Sequence, residues 1–104
     1  MKKLDLKEFD RFEGLLKMNK IKYERHDNYG RFHEFHGIFY PSKGWHTADA
    51  IICSNSVGHE KGLLEQWGLI PDNSKGILGY QTADEVFRRW EEHFNGQRDA
   101  EAVL

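Results

Sequence analysis

The chain has 104 residues, of which 38% are hydrophobic, 31% charged and 13% aromatic. One domain is expected at that length, because a single core grows well past this size before it splits. The formal net charge of −2, from 15 basic and 17 acidic residues, gives no general pull toward nucleic acid or a membrane surface, so a nucleic-acid partner is not expected.

No apolar run comes near the roughly 18 residues that a membrane helix needs. The basic start, Met1-Lys2-Lys3-Leu4-Asp5, is not followed by the apolar stretch of a signal peptide, so neither a membrane partner nor export is expected. The single cysteine, Cys53, cannot form an internal disulfide, and the chain reads as cytoplasmic. The 14 aromatics (7 Phe, 4 Tyr, 3 Trp) are too many for a typical disordered chain. Charge is split along the sequence. Residues 1–46 carry 10 Lys and Arg against 7 Asp and Glu, and residues 47–104 carry 5 against 10.

The spacing of Phe9, Phe12, Leu15 and Leu16 predicts an amphipathic helix over Leu4–Asn19. Asp5 with Glu8 reads as its capping box, Leu4 and Phe9 as its hydrophobic staple, and Asn19 as its C-cap. Residues 21–27 alternate and predict a strand, and Asp27-Asn28-Tyr29-Gly30 has turn chemistry. Residues 31–40 predict a second strand, which makes a hairpin with the first. It carries Phe32, Ile38 and Tyr40 on one face and Phe35 and Phe39 on the other. Apolar residues on both faces mark an interior strand rather than an edge.

Pro41–Gly44 is the next turn, and residues 48–54 predict a short buried strand around Ile51 and Ile52. Ser54–Gly58 reads as loop. His59–Trp67 then reads as a short helix with Leu63 and Leu64, stopped by Gly68 and Pro71. Asp72–Gly76 reads as a turn and Ile77–Tyr80 as a further strand. The last helix begins at the capping box Thr82/Glu85 and carries Ala83, Val86, Phe87, Trp90 and Phe94 on one stripe. Asn95-Gly96 is expected to end it, with Gln97–Leu104 a flexible tail. The expected fold is a single α+β domain over residues 4–96, in the order α-β-β-β-α-β-α, with helices packed on a mainly antiparallel sheet.

Candidate chemistry falls in few places. His33-Glu34-Phe35-His36 is not the H-E-x-x-H zinc motif, and residues three apart on a strand point to opposite faces. A metal site there needs help from His26 or His46 to reach about three ligands. Cys53 with His59 resembles a thiol and its base, but Cys53 ends an apolar strand, where a buried inert thiol is the ordinary outcome. Ser54-Asn55-Ser56-Val57-Gly58-His59-Glu60-Lys61-Gly62 leads from a strand into the expected helix. A helix start of that kind suits a small anionic ligand, with Ser54, Ser56, Gly58, His59 and Lys61 as its contacts. Simple helix capping accounts for the same residues.

Tyr40, Lys43, Trp45 and His46 surround the Pro41–Gly44 turn and make the best candidate surface for a partner. Asp49, the one acid inside an apolar strand, reads as a strand-end residue bonding the adjacent turn. With Glu60, Glu65 and Lys61 it lacks the carboxylate spacing of a nuclease. Once the helices and the second strand take their share, Tyr29, Tyr40, Trp45 and Trp67 are left as the aromatics where binding is sought first.

The stretches Asp49-Ala50-Ile51-Ile52-Cys53, Ser56–Glu65 and Gly79–Phe87, with Ile21-Lys22-Tyr23-Glu24 after the opening helix, resemble small uncharacterised proteins encoded by phages and prophages of Gram-positive bacteria. The resemblance covers most of residues 5–95. It implies an accessory role, such as blunting host defence, and no catalytic residues. The resulting expectation is a small non-catalytic binding protein that inhibits a host protein and needs no cofactor. A binder of a small anionic ligand such as a nucleotide signal is the alternative. A metal-dependent hydrolase using the histidines and Asp49 is a third reading. The aromatic excess leaves room for a homodimer.

Overall fold

The computed structural model describes residues 4–31, 33–70 and 76–103, with side chains up to Phe94. The expected places of Phe32 and of the turn residues Asp72–Lys75 lie outside the described residues. Helix α1 (Lys7–Met18) buries Phe9, Phe12 and Leu16, as the helical spacing predicts. Its start differs from the expected capping box. Leu6 occupies the N-cap with no side-chain bond, while Asp5 Oδ1 accepts from the Lys7 amide at 3.0 Å. With the N-cap at Leu6 instead of Asp5, Glu8 is released from its own helix start and accepts from the Ala83 amide at 2.8 Å. Asn19 is the C-cap but keeps φ −98°; it is Lys20 that turns left-handed, with φ 57°.

Five strands follow: β1 (Glu24–Tyr29), β2 (Glu34–Tyr40), β3 (Ala48–Cys53), β4 (Leu64–Trp67) and β5 (Ile77–Gln81). They form one antiparallel sheet in chain order, β1-β2-β3-β4-β5. The first hairpin exists, but its strands pair through Asp27 and Asn28, which sequence alone assigns to the turn. Asp27 lies opposite His36 and Tyr29 opposite Glu34, so the pairing runs on past Asp27 and Asn28 to Tyr29. Strand β2 is interior, between β1 and β3, as its two apolar faces predict.

One element is corrected. His59–Trp67 is not a helix; it is a 3-10 turn at His59–Lys61 followed by strand β4. Gly62, left-handed at φ +68°, ends the turn after three residues. Beyond it Leu64 and Gln66 are buried while Trp67 is exposed, a period of two that the adjacent pair Leu63-Leu64 disguises as a helical stripe. The order is therefore α-β-β-β-β-β-α. Gly68 then turns the chain at φ +75°, where a Cβ would stand 2.2 Å from the Thr47 carbonyl oxygen.

Helix α2 (Ala83–Val103) opens on the predicted capping box. The Glu85 amide donates to Thr82 Oγ1 at 3.2 Å and the Thr82 amide to Glu85 Oε1 at 3.0 Å. The expected stop at Asn95-Gly96 does not occur, and the helix continues into the segment read as a tail. A helical glycine costs about 1 kcal/mol relative to alanine without breaking the hydrogen-bond ladder. Among the described residues no helix is long and apolar enough to cross a membrane.

The core lies on one side of the sheet. Ile38, Ala48, Ala50, Ile52 and Leu64 meet Phe9, Phe12 and Leu16 of α1 and Val86, Trp90 and Phe94 of α2. Phe12 and Trp90 cross edge to face with centroids 5.0 Å apart. Gln66, fully buried on this side, receives Arg89 Nη1 at 2.9 Å, and the same nitrogen reaches Gln81 Oε1 at 2.7 Å. Toward β1 the core ends in a charged network. His36 is fully buried, with Nδ1 2.6 Å from Asp27 Oδ1 and Nε2 2.5 Å from Glu34 Oε2. Arg25 binds Glu13 at 2.6 Å and Asp27 at 3.0 Å. Burial and the bond to Glu13 push Tyr23 up to about 12.

Candidate functional site

The sequence candidates fall into two groups that the fold separates. The 40–46 turn splits across the sheet. Tyr40 packs inward against Phe94, at 4.9 Å, and Trp90, at 6.0 Å. His46 takes the other side, stacking on Phe39 at 5.0 Å with its Nε2 2.8 Å from Glu24 Oε2. Lys43 is exposed, and Trp45 projects with 94% of its surface accessible.

The second group holds its own loop together. The Ser54 hydroxyl accepts from the Glu34 amide at 2.8 Å, and the Ser56 hydroxyl accepts from the Cys53 amide at 2.9 Å. Gly58 is buried at φ +104°, where a Cβ would stand 2.8 Å from the Tyr80 nitrogen. His59 Nδ1 lies 2.7 Å from the Ser56 carbonyl oxygen, and Lys61 is exposed. The helix that was to aim its dipole at an anion is a single 3-10 turn. The turn enters β3 at Ala48 and the loop leaves it at Cys53, so the two groups stand roughly 17 Å apart along the strand.

The remaining constellations disperse likewise. His33 is exposed and His36 buried. Cys53 is 5% exposed and donates toward Asn55 Oδ1 at 3.1 Å, while the His59 ring engages Ser56. Glu60 accepts from the Tyr80 hydroxyl, which holds its carboxyl below the usual range. Among the described residues no group of three or more His, Cys, Asp and Glu is arranged to hold a metal ion.

What the fold does assemble is the sheet face turned away from the helices. Register puts Glu24, Phe39, Asp49, Trp67 and Ile77 in one row across all five strands. The adjacent row is His26, Gly37, Ile51 and Glu65. Phe35 and Phe39 stack at 6.3 Å over Gly37, where a Cβ would come within 2.7 to 2.9 Å of both rings. A bare glycine lets the two phenyl rings close over the strand. Trp67 is 41% and Ile77 46% exposed.

The charges on this face are uneven. Glu24 is held below the usual carboxylate range by the hydrogen bond from His46, with His26 adding to it. Asp49 has no such partner; its carboxylate accepts no side-chain or loop hydrogen bond among the described residues. Burial, with Glu65 beside it, pushes Asp49 up to about 6. Asp49 is therefore not the turn-bonding residue that sequence suggests. Phe39, Asp49 and Trp67 form a functional candidate of which sequence reasoning named Trp67 and missed Phe39 and Asp49. The signal was the second apolar face of residues 35–39, read as core because nothing in the sequence says which face the helices cover.

No protein-family model, no curated protein and no solved structure matches the chain.

Proposed function

We propose that this chain is a non-catalytic binding protein that docks a protein partner on the open face of its sheet. The observation that carries this reading is the one-sided packing. Both helices pack against one face, and among the described residues no helix or strand covers Phe35, Phe39, Ile51 and Trp67 on the other, where the His46 ring stacks on Phe39. An antiparallel sheet covered on one side ordinarily turns polar residues outward, and a contiguous apolar patch marks an interaction surface. Trp45, in the turn before β3, is exposed as well. Aromatic side chains of this kind supply much of the energy at protein interfaces. The resemblance to phage accessory proteins supports a host protein as the partner and inhibition as the effect.

The test is capture from a lysate of a Gram-positive host on immobilised chain, compared with Trp67→Glu and Ile51→Lys variants shown by circular dichroism to be folded. At least one protein held by the wild type and lost by both variants is expected. Identical capture by all three chains refutes the reading.

A further inference from the structure

The uncovered face has a specific chemistry, and it narrows the partner. Of the strand positions on this face, Glu24, Asp49 and Glu65 are acidic and none is Lys or Arg. Glu24 is shared between His26 at 2.9 Å and His46 at 2.8 Å. Glu65 accepts from the Val57 amide at 3.0 Å. Among the described residues the Asp49 carboxylate has no ion pair and no hydrogen-bond donor, His46 acting on it only through space, and it stands in the row between Phe39 and Trp67.

Resting on the docking reading above, we infer that the open face receives a basic segment of the partner, with an arginine side chain laid on Trp67 and paired with Asp49. Directly opposed residues on antiparallel strands have Cβ atoms about 5 Å apart, so a guanidinium resting on the indole reaches the neighbouring carboxylate. Arginine suits the place better than lysine. Its planar group stacks on an aromatic face while its edge donates two hydrogen bonds to one carboxylate, and it sheds water more readily.

Two further observations agree. A carboxylate set among apolar side chains without a partner is held toward its neutral form, as Asp49 is, and a paired cation removes that penalty. A two-fold pairing of this face with a second copy would set one acidic face against another and supply no Lys or Arg from the strands, so a second copy is the poorer occupant.

The probe is the peptide acetyl-Gly-Arg-Gly-Arg-Gly-amide, titrated into isotopically labelled full-length chain at low salt and followed by amide and indole resonances. The control replaces both arginines with leucine. Shifts clustered on Phe39, Asp49, Glu65 and the Trp67 indole are expected. Asp49→Asn should weaken the arginine peptide at least tenfold and leave the leucine peptide unchanged. If the leucine peptide shifts this face and the arginine peptide does not, the basic partner is overturned while the docking reading stands. If neither peptide shifts it, both fall. Sedimentation showing a dimer whose formation Trp67→Glu abolishes overturns the basic partner in favour of a second copy.

Discussion

The Glu8 carboxylate, in the first turn of α1, accepts a hydrogen bond from the backbone amide of Ala83 at the start of α2. Two residues 75 apart in sequence thus close a helix end that a local box closes only in part. Thr82 and Glu85 satisfy each other's amides, and Glu8 satisfies the amide between them. A carboxylate at this position also favours the positive end of the helix. Glu8→Ala is expected to cost about 1 kcal/mol, within the range of lost N-caps. Glu8→Gln should recover most of it. Urea unfolding of the three chains checks this, with faster amide exchange at Ala83 in Glu8→Ala. An unchanged midpoint would show that the contact contributes nothing net.

Asp49 gives a pH dependence of opposite sign to that of the capped and paired acids. Its carboxyl sits at about 6 in the fold against an ordinary 3.8. Between those values the folded chain holds a proton that the unfolded chain has released, so stability falls as pH rises through that window and stays lower above it. The full loss is about 3 kcal/mol at most, taking about 1.4 kcal/mol for each unit. Asp49→Asn should therefore be more stable than the wild type by roughly 1 to 3 kcal/mol at pH 7.5, with the difference vanishing below pH 3.8. Asp27, held low first by Arg25, and Glu85, held low by the Thr82 amide, act the other way. Both lose their contribution as pH falls below the ordinary range, in either chain, so they cancel from the comparison. Denaturation midpoints of the two chains across pH 3 to 8 measure the difference.

Sequence periodicity found both helices and most of the sheet because Phe9, Phe12, Val86 and Trp90 repeat at helical spacing and Ile38 and Ile52 sit in strand-like runs. It failed at 59–67 because four strand residues carry only two alternations. Leu63 beside Leu64 fits a helix equally well there, and the decisive feature, Gly62 in the left-handed region, is a tertiary outcome. The site was less legible than the fold. Tyr40 and His46 look like neighbours in sequence, but they leave the turn on opposite faces of the sheet. Phe39, Asp49 and Trp67 are 10 and 18 residues apart and meet only through strand register.

Gly68 should be among the least tolerant positions. It combines φ +75° with a would-be Cβ 2.2 Å from the Thr47 carbonyl oxygen, and that neighbour is backbone. Gly68→Ala forces either the left-handed strain of a side-chain residue or a shift of the strand start at Ala48. A loss of at least about 2 kcal/mol is expected from the strain and clash together. Gly14→Ala is the internal contrast. Nothing lies within 4 Å of its would-be Cβ and it sits inside α1, so a gain of about 0.5 to 1 kcal/mol is expected. Thermal melts of the two variants should move in opposite directions.

His36 is the buried link between two carboxylates, and removing it takes a ring nitrogen from each. With both ring nitrogens on carboxylate oxygens, the ring donates to Asp27 and Glu34 at once when it carries its second proton. His36→Leu keeps the volume near Phe9 and Tyr29, whose rings lie 5.8 and 5.2 Å from the imidazole, so packing is largely preserved. What changes is the charge balance. Arg25 still neutralises Asp27, but Glu34 loses the ring nitrogen 2.5 Å from its Oε2. A loss of about 3 kcal/mol is expected, the low end of what breaking a buried pair costs. Adding Glu34→Gln to His36→Leu should restore a kcal/mol or more, because the stranded charge is gone, although Glu34→Gln alone is destabilising. A double-mutant cycle by urea denaturation reads that coupling directly. Additive losses would place the role of His36 in packing rather than in charge.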